Sequence, residues 1–224
     1  MQKAFARIAK QVSYLEKLSA EKKIDGWLLN ANGYQVLFGE RNLSFIRSNM
    51  LYAVVFLVVL LSGLNAYETQ SHMKVNLNST KYGRGQLRRN KIIFVVSSSV
   101  AVMALMGFYE LSFINNTYGL SDMGAPIQSL SLFEAFPFQI SIGAFLTAMY
   151  CVKAVFLTLT GFIIMIISSV SKNHKQGVIY ASILLIAPSA LLNSGLEIIK
   201  PIAVVFYADV MEWVTWIIAL GGKT

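Results

Sequence analysis

The residues best suited to specific chemistry are six cations in one polar stretch between two apolar runs. The stretch covers residues 66–91, and Glu68 is its single acid. Side chains of this kind pair with carboxylates or phosphates of a partner, so the stretch predicts a binding surface rather than a reaction centre. Its cations are Lys74, Lys81, Arg84, Arg88, Arg89 and Lys91.

Three further charged residues stand inside apolar runs. Lys153 is alone in its run, and Asp209 and Glu212 lie three residues apart, on one face of a helix. An ionisable side chain at membrane depth is costly, so these three residues are candidates for lining a substrate pathway. The alternatives are a Lys153 that reaches the interface along its aliphatic stem, and a last segment that lies partly in the interface.

Known catalytic patterns are missing from the sequence. No G-x-x-x-x-G-K-[ST] loop occurs, so we expect no ATP site in this chain. The two histidines, His72 and His174, stand in polar loops without metal-ligand spacing. Three successive serines, Ser97 to Ser99, have no histidine in their apolar run to act as a base. We therefore expect no catalytic residue, no metal and no cofactor in the chain itself.

The composition is that of a membrane protein. Of 224 residues, 55% are hydrophobic and 13% are charged, and the mean hydropathy is +0.57. Soluble domains carry roughly 25% charged residues. The net charge of +8 comes from cations beside apolar runs, which is typical of membrane anchoring and argues against nucleic-acid binding. The single cysteine, Cys151, excludes an intramolecular disulfide.

The apolar runs predict an all-α, polytopic membrane protein. About 20 helical residues cross a hydrocarbon core of ~30 Å, and the chain has about five runs near that length. We expect an extracytoplasmic, amphipathic segment over residues 1–48 and a transmembrane domain over residues 49–224. The predicted spans cover residues 49–66, 92–114, 139–170, 177–196 and 202–221.

Amphipathic helices are expected outside these spans. Residues 3–18 carry apolar side chains at three- and four-residue spacing, which predicts a helix lying in the membrane interface or packed on the protein. Residues 24–48 contain glycines and asparagines and predict irregular structure, with a short helix over residues 34–38. Glu110, near the end of the second span, is expected to reach headgroups or water.

The distribution of cations predicts the orientation of the chain. The basic segments 67–91 and 171–176 belong inside, because short basic loops resist translocation. Residues 115–138 have no Lys or Arg and belong outside. Within them, Leu130, Phe133 and Phe136 are spaced for an interfacial helix. The protein is therefore predicted to be a multi-pass protein of the cell membrane, either a plasma membrane or an inner membrane.

The basic loop also resembles that of a known family. Its pattern is similar to the first cytoplasmic loop of type-2 permeases from ATP-binding-cassette (ABC) exporters, where this loop is the coupling helix that docks into the ATPase. The residues that carry the resemblance are Tyr67, Glu68, Leu77, Ser79, Thr80, Gly83, Arg84, Leu87 and Lys91. The resemblance implies a docking element formed by Glu68, Ser79, Thr80, Gly83, Arg84 and Lys91.

The same resemblance implies a function and a set of partners. The chain would be the permease subunit of an exporter, with ATP and Mg²⁺ bound on a separate ABC ATPase. A second permease copy and membrane lipid would complete the assembly. Family members have six spans, so the chain would be a distal part of such a permease or a short subunit. The alternative is a non-transporting accessory, regulatory or immunity protein built on the same scaffold.

Cysteine labelling tests the predicted orientation. In a Cys151→Ala background, Asn78→Cys in the basic loop should resist a membrane-impermeant maleimide on intact cells and react after permeabilisation. Asn116→Cys, in the segment expected outside, is the control and should react on intact cells. Labelling of Asn78→Cys on intact cells would contradict the cytoplasmic assignment of the loop.

Overall fold

The computed structural model describes residues 2–22, 26–38, 44–71, 73, 83–134 and 136–193. These residues are mostly helical, and the only β-type pairing among them is one antiparallel bridge between Pro126 and Ser141. Two 3-10 turns, Ile127–Ser129 and Ser131–Phe133, precede the bridge residue Ser141. The α-helices in this part of the chain are α1 (Gln2–Lys22), α2 (Ala31–Phe38), α3 (Ser44–Leu61), α4 (Gly63–Gln70), α5 (Gly83–Tyr118), α6 (Ile142–Val170) and α7 (His174–Asn193).

Three helices are long and apolar enough to cross a membrane. They are Asn49–Gln70 with 22 residues, Gly85–Tyr118 with 34 and Ile142–Val170 with 29. The first of them joins α3 and α4. Their length and composition indicate a membrane protein and agree with the first three predicted spans. The fourth prediction, 177–196, overlaps α7 and stays a prediction, while 202–221 lies outside the described residues.

Uncharged stretches of equal length run through α5 and α6. In α5, 18 residues (92–109) separate Lys91 from Glu110. In α6 and the residue that follows it, 18 residues (154–171) separate Lys153 from Lys172. At 1.5 Å per residue each stretch measures about 27 Å, close to the thickness of a bilayer's hydrocarbon core.

The described residues divide into two compact units. The first unit contains residues 2–22, 26–38, 111–134 and 136–149. Its core is aromatic: the Phe133 ring lies 5.1 Å from the Phe38 ring and 5.1 Å from the Phe145 ring, both edge-on. Phe133 is fully buried and Phe136 is 8% exposed. These rings stabilise the unit by burying apolar area in interlocked edge-to-face contacts.

The expected interfacial helix over Leu130, Phe133 and Phe136 is therefore wrong. The chain forms short 3-10 turns there, and all three side chains are buried in the first unit. The physical reason is burial: Leu130 takes an extended conformation between the two 3-10 turns, and Leu130, Phe133 and Phe136 are buried instead of forming one continuous helical face. Their spacing approximates one α-helical face, so the sequence pattern favoured a helix that does not form.

Helix α1 packs into the first unit through part of its apolar stripe. Leu18 is 3% exposed, whereas Ile8 is 48% exposed. The Tyr14 hydroxyl donates a hydrogen bond of 2.7 Å to the Gln128 carbonyl. Burial, and then the charge of nearby Glu134, raises the pKa of Tyr14 to about 12, so the donor stays protonated at neutral pH. Packing of α1 on the protein is thus observed for its C-terminal half.

The second unit contains residues 44–71, 73, 83–110 and 150–193, and its core joins four helices. Backbones approach closely where side chains are small: a Cβ on Gly161 would lie 2.9 Å from Ser99 Oγ. Ser97 and Ser98 donate to the carbonyls of Phe94 and Val95, as serines in apolar helices commonly do. The fully buried core side chains include Leu57, Leu61, Val95, Leu157, Ile164, Ala181 and Leu185.

Two element boundaries differ from the sequence expectation. Residues 24–48 are not irregular throughout, because α3 already begins at Ser44 and α2 starts three residues before the expected short helix. The polar stretch 66–91 is helical at both ends, since α4 continues to Gln70 and α5 begins at Gly83. The helices α4 and α5 thus include polar residues beyond the apolar runs.

Close packing at Gly177 generates a stability prediction. A Cβ at this position would lie 2.8 Å from the backbone carbonyl oxygen of Ser62, which a side-chain rotation cannot relieve. Gly177→Ala should therefore destabilise the protein by about 1–3 kcal/mol, the usual cost of overpacking. The measurement is the thermal unfolding midpoint of the purified protein in detergent.

Gly85→Ala is the matched control for this substitution. Its Cβ would meet nothing within 4 Å, and alanine favours helix. Its unfolding midpoint should equal or exceed that of the parent protein. Equal midpoints for Gly177→Ala and the parent would contradict the close contact between Gly177 and the Ser62 carbonyl.

Candidate partner-docking site

The basic loop starts from a helix that is interrupted once. Helix α3 ends at Leu61, Ser62 forms a turn, and α4 continues from Gly63. Serine and glycine are weak helix formers, which explains the interruption in an otherwise apolar run. A Cβ on Gly63 would clash with the Tyr67 ring. The observed position of the Tyr67 ring therefore requires a residue without a side chain at position 63.

An ion pair fastens the two ends of the loop together. Lys91 Nζ lies 2.5 Å from Glu68 Oε2 and 2.7 Å from Asn65 Oδ1. The Lys91 and Glu68 side chains are only 15% and 22% exposed. Such sheltered, charge-assisted bonds are stronger than exposed ion pairs. The last turn of α4 is thereby held against the third turn of α5.

Ser168 holds α4 against the end of α6. Its hydroxyl accepts hydrogen bonds from the backbone N–H of Asn65 at 2.9 Å and of Ala66 at 3.2 Å. It donates one of 2.7 Å to the Ser62 carbonyl. The Asn65 amide also donates to the Met165 carbonyl at 2.9 Å. One buried hydroxyl thus satisfies three backbone groups that the interrupted helix leaves free.

His174 attaches the first turn of α7 to the same junction. Its ring stacks on Tyr67 with 5.3 Å between centroids and 15° between planes. Its Nδ1 lies 3.2 Å from Ser62 Oγ. A serine beside a histidine could suggest a nucleophile and base. The Ser62 side chain is fully buried, however, so the geometry fits a packing contact rather than a site that a substrate reaches.

The four contact residues define a junction at the base of the loop. We call Glu68, Lys91, Ser168 and His174 with their partners the loop-base junction. It joins α4, α5, α6 and α7 within the second unit. It also places Tyr67, Glu68 and Lys91 of the first basic segment at the same end of the helices as His174 of the second. The orientation in the membrane stays a prediction.

The sequence-predicted docking residues are placed only in part. Glu68 and Lys91 lie together, and Gly83 and Arg84 form the start of α5. Ser79 and Thr80 lie outside the described residues, and so does the side chain of Arg84. Docking itself stays a prediction. The sequence reasoning missed Asn65, Ser168 and His174, although the Ser-Gly pair at the interruption signals a break.

A second polar group occupies the other end of the same helices. Glu110 is 2% exposed and Asn49 is 5% exposed, so the expected contact of Glu110 with headgroups or water is wrong. The Glu110 side chain points into the second unit, towards the side chains of Asn49 and Tyr150. Lys153 is half-buried, with Nζ 5.1 Å from the Tyr150 ring centroid. The other candidate pathway residues, Asp209 and Glu212, lie outside the described residues.

Comparison of the chain with protein-family models, with curated proteins and with solved structures finds no match. Within the described residues, no three His, Cys, Asp or Glu side chains converge as they would to hold a metal ion.

A charge swap tests the ion pair of the junction. Lys91→Glu or Glu68→Lys alone places two like charges together and should destabilise the protein by about 1–3 kcal/mol. The double variant restores opposite charges and should recover most of that loss. Unfolding midpoints in detergent at low and high salt measure both effects.

Arg88→Glu is the control, because Arg88 is exposed on the same end of α5 and the change in net charge is identical to that of Lys91→Glu. It should leave the midpoint nearly unchanged. A double variant as unstable as either single variant would show that the pair does not hold the loop ends.

Proposed function

We propose that the chain is the permease subunit of an ATP-driven exporter of the ABC type. Its basic loop would dock into a separate ATPase, which binds ATP and Mg²⁺, and a second permease copy would complete the pathway. Five spans in a plasma or inner membrane belong to this proposal. The observation that carries it is the loop-base junction, combined with the likeness of the loop sequence to a coupling helix.

The junction supports force transmission from the loop to the membrane segments. A soluble partner that pushes on the loop acts first on the ends of α4 and α5. The bonds of Lys91 with Glu68 and Asn65 keep those ends together, and Ser168 ties α4 to α6. Packed cores transmit displacement as rigid bodies rather than absorbing it. A small tilt of the loop would therefore move several helices together.

The charge of the loop suits an acidic docking surface. Arg88 and Arg89 are exposed at the start of α5, one turn before Lys91. Complementary charge across an interface fixes register and speeds association. The ion pair between Glu68 and Lys91 joins the described ends of the basic segment at its base. We assign the contact with the ATPase chiefly to Arg84, with Glu68, Ser79, Thr80, Gly83 and Lys91 completing the docking element.

Co-purification tests the proposed assembly. The tagged protein, extracted in mild detergent from cells that make it naturally, should bring down an ABC ATPase and a second permease copy. Recovery of neither partner would contradict the transporter proposal and would favour an accessory or immunity protein.

A single substitution tests the docking site. Arg84→Glu should lower ATPase recovery by about tenfold, equivalent to ~1.4 kcal/mol, because the new charge opposes an acidic partner. Membrane insertion and the amount of protein should be unchanged. Lys10→Glu, on an exposed position of α1, makes the same change in charge outside the loop and is the control. Equal recovery of the ATPase with both variants would contradict the docking assignment.

A further inference from the structure

A small cavity lies beside the second polar group, within the second unit. Its volume is about 10 Å³, which is close to the room that one water-sized particle needs. Helices α3, α5 and α6 all contribute to its wall. The residues that matter for its chemistry are Asn49, Met50, Met103, Met106, Glu110 and Lys153.

Three methionine residues line this cavity. Met103 and Met106 are three residues apart on one face of α5, and Met50 comes from α3. Met50 and Met103 are each 6% exposed. Methionine is a common filler of irregular cores, but filler does not require three sulfur-bearing side chains around a single cavity. Thioether sulfur is a soft ligand, and such ligands select Cu(I) among the biological metals.

Polar groups with unused bonding capacity line the same cavity as the methionines. Within the described residues, Glu110 Oε1 and Asn49 Nδ2 are buried without a partner in hydrogen-bond geometry, although both side chains also face each other. A buried carboxylate of this kind favours a positive charge beside it. Hard cations such as Ca²⁺ require six or more oxygen ligands, which this wall does not supply.

We propose that the cavity binds a soft monovalent metal ion, Cu(I) or its analogue Ag(I). The thioethers of Met50, Met103 and Met106 are the ligands, and the Glu110 carboxylate offsets the charge. Lys153 opposes binding because its ammonium group is a like charge at the same wall, held over the Tyr150 ring. No electron transfer is involved. The proposal depends on the cavity alone and is independent of the exporter proposal.

Nuclear magnetic resonance of methionine methyl groups identifies the ligands directly. The chain has nine methionines, so ¹³C-methyl labelling gives a small set of assignable signals. Silver nitrate is added to the full chain in detergent, in chloride-free buffer and a Cys151→Ala background that removes the exposed thiol. The signals of Met50, Met103 and Met106 should shift together and saturate at one ion per chain. Shifts confined to other methionines would overturn the proposal.

Matched variants measure the strength of the site. Met50→Leu with Met103→Leu and Met106→Leu removes three sulfurs and nearly conserves volume, so the protein should fold. Silver affinity, measured by competition with a chromogenic chelator, should fall at least about tenfold, since even outer-shell changes cost that much. The control carries the same three substitutions at Met73, Met123 and Met165, which lie outside the cavity wall. Equal affinity of both triple variants would refute the site.

Opposite changes in charge provide a further check on the same site. Glu110→Gln should weaken silver binding, whereas Lys153→Gln should strengthen it, because each removes one charge beside the ion. Changes of the same sign in both variants would contradict binding in this cavity. Excess sodium or zinc ions should not displace silver, and displacement by either would show that the site is not selective for soft ions.

Discussion

An interrupted helix in an apolar environment must satisfy its free backbone groups within the protein, and this constraint organises the second unit. Water cannot reach the gap after Leu61, because Ser62 is fully buried. The backbone N–H and C=O groups that lack helical partners there therefore need partners within the protein. Ser168 supplies them from α6. Because that hydroxyl works only at bonding distance, α4 and α6 must pack closely there. The positions of Asn65 and Lys91 follow from this packing.

The two polar groups of the second unit differ in how fully their atoms are bonded. At the loop-base junction each acceptor meets a donor, as in the contacts of Lys91 with Glu68 and Asn65. At the opposite end, Glu110 and Asn49 keep atoms without a partner in hydrogen-bond geometry. Fully satisfied polar groups rigidify a structure, whereas unsatisfied ones remain expensive unless something binds. This contrast indicates that the loop-base junction stabilises the structure, whereas the second polar group is a candidate binding site.

The sequence predicted which segments are helical more reliably than which of their side chains are buried. Apolar runs of sufficient length located α3, α5 and α6, with ends up to nine residues from those of the helices, because hydropathy indicates which segments avoid water but not where a helix ends. It could not place Glu110, whose neighbours Asn49 and Tyr150 come from other helices. The spacing of Phe133 and Phe136 suited an α-helical face, but both side chains are buried around a short turn that ends at Phe133. The Glu68–Lys91 pair lay within one predicted loop, but only the structure shows that the two residues bond to each other.

The uncharged stretches of α5 and α6 have a consequence for the bilayer itself. Both are about 27 Å long between charged residues, slightly shorter than an average hydrocarbon core of ~30 Å. A match to within a few ångströms needs little compression of the lipid, because mismatch costs only a fraction of a kcal/mol for each ångström. Glu110 faces into the protein, and exposed Phe113 continues the apolar surface of α5 beyond it. The end of the uncharged stretch is therefore not an end of the lipid-facing surface, and α5 can lean in the bilayer without bringing this carboxylate into contact with acyl chains.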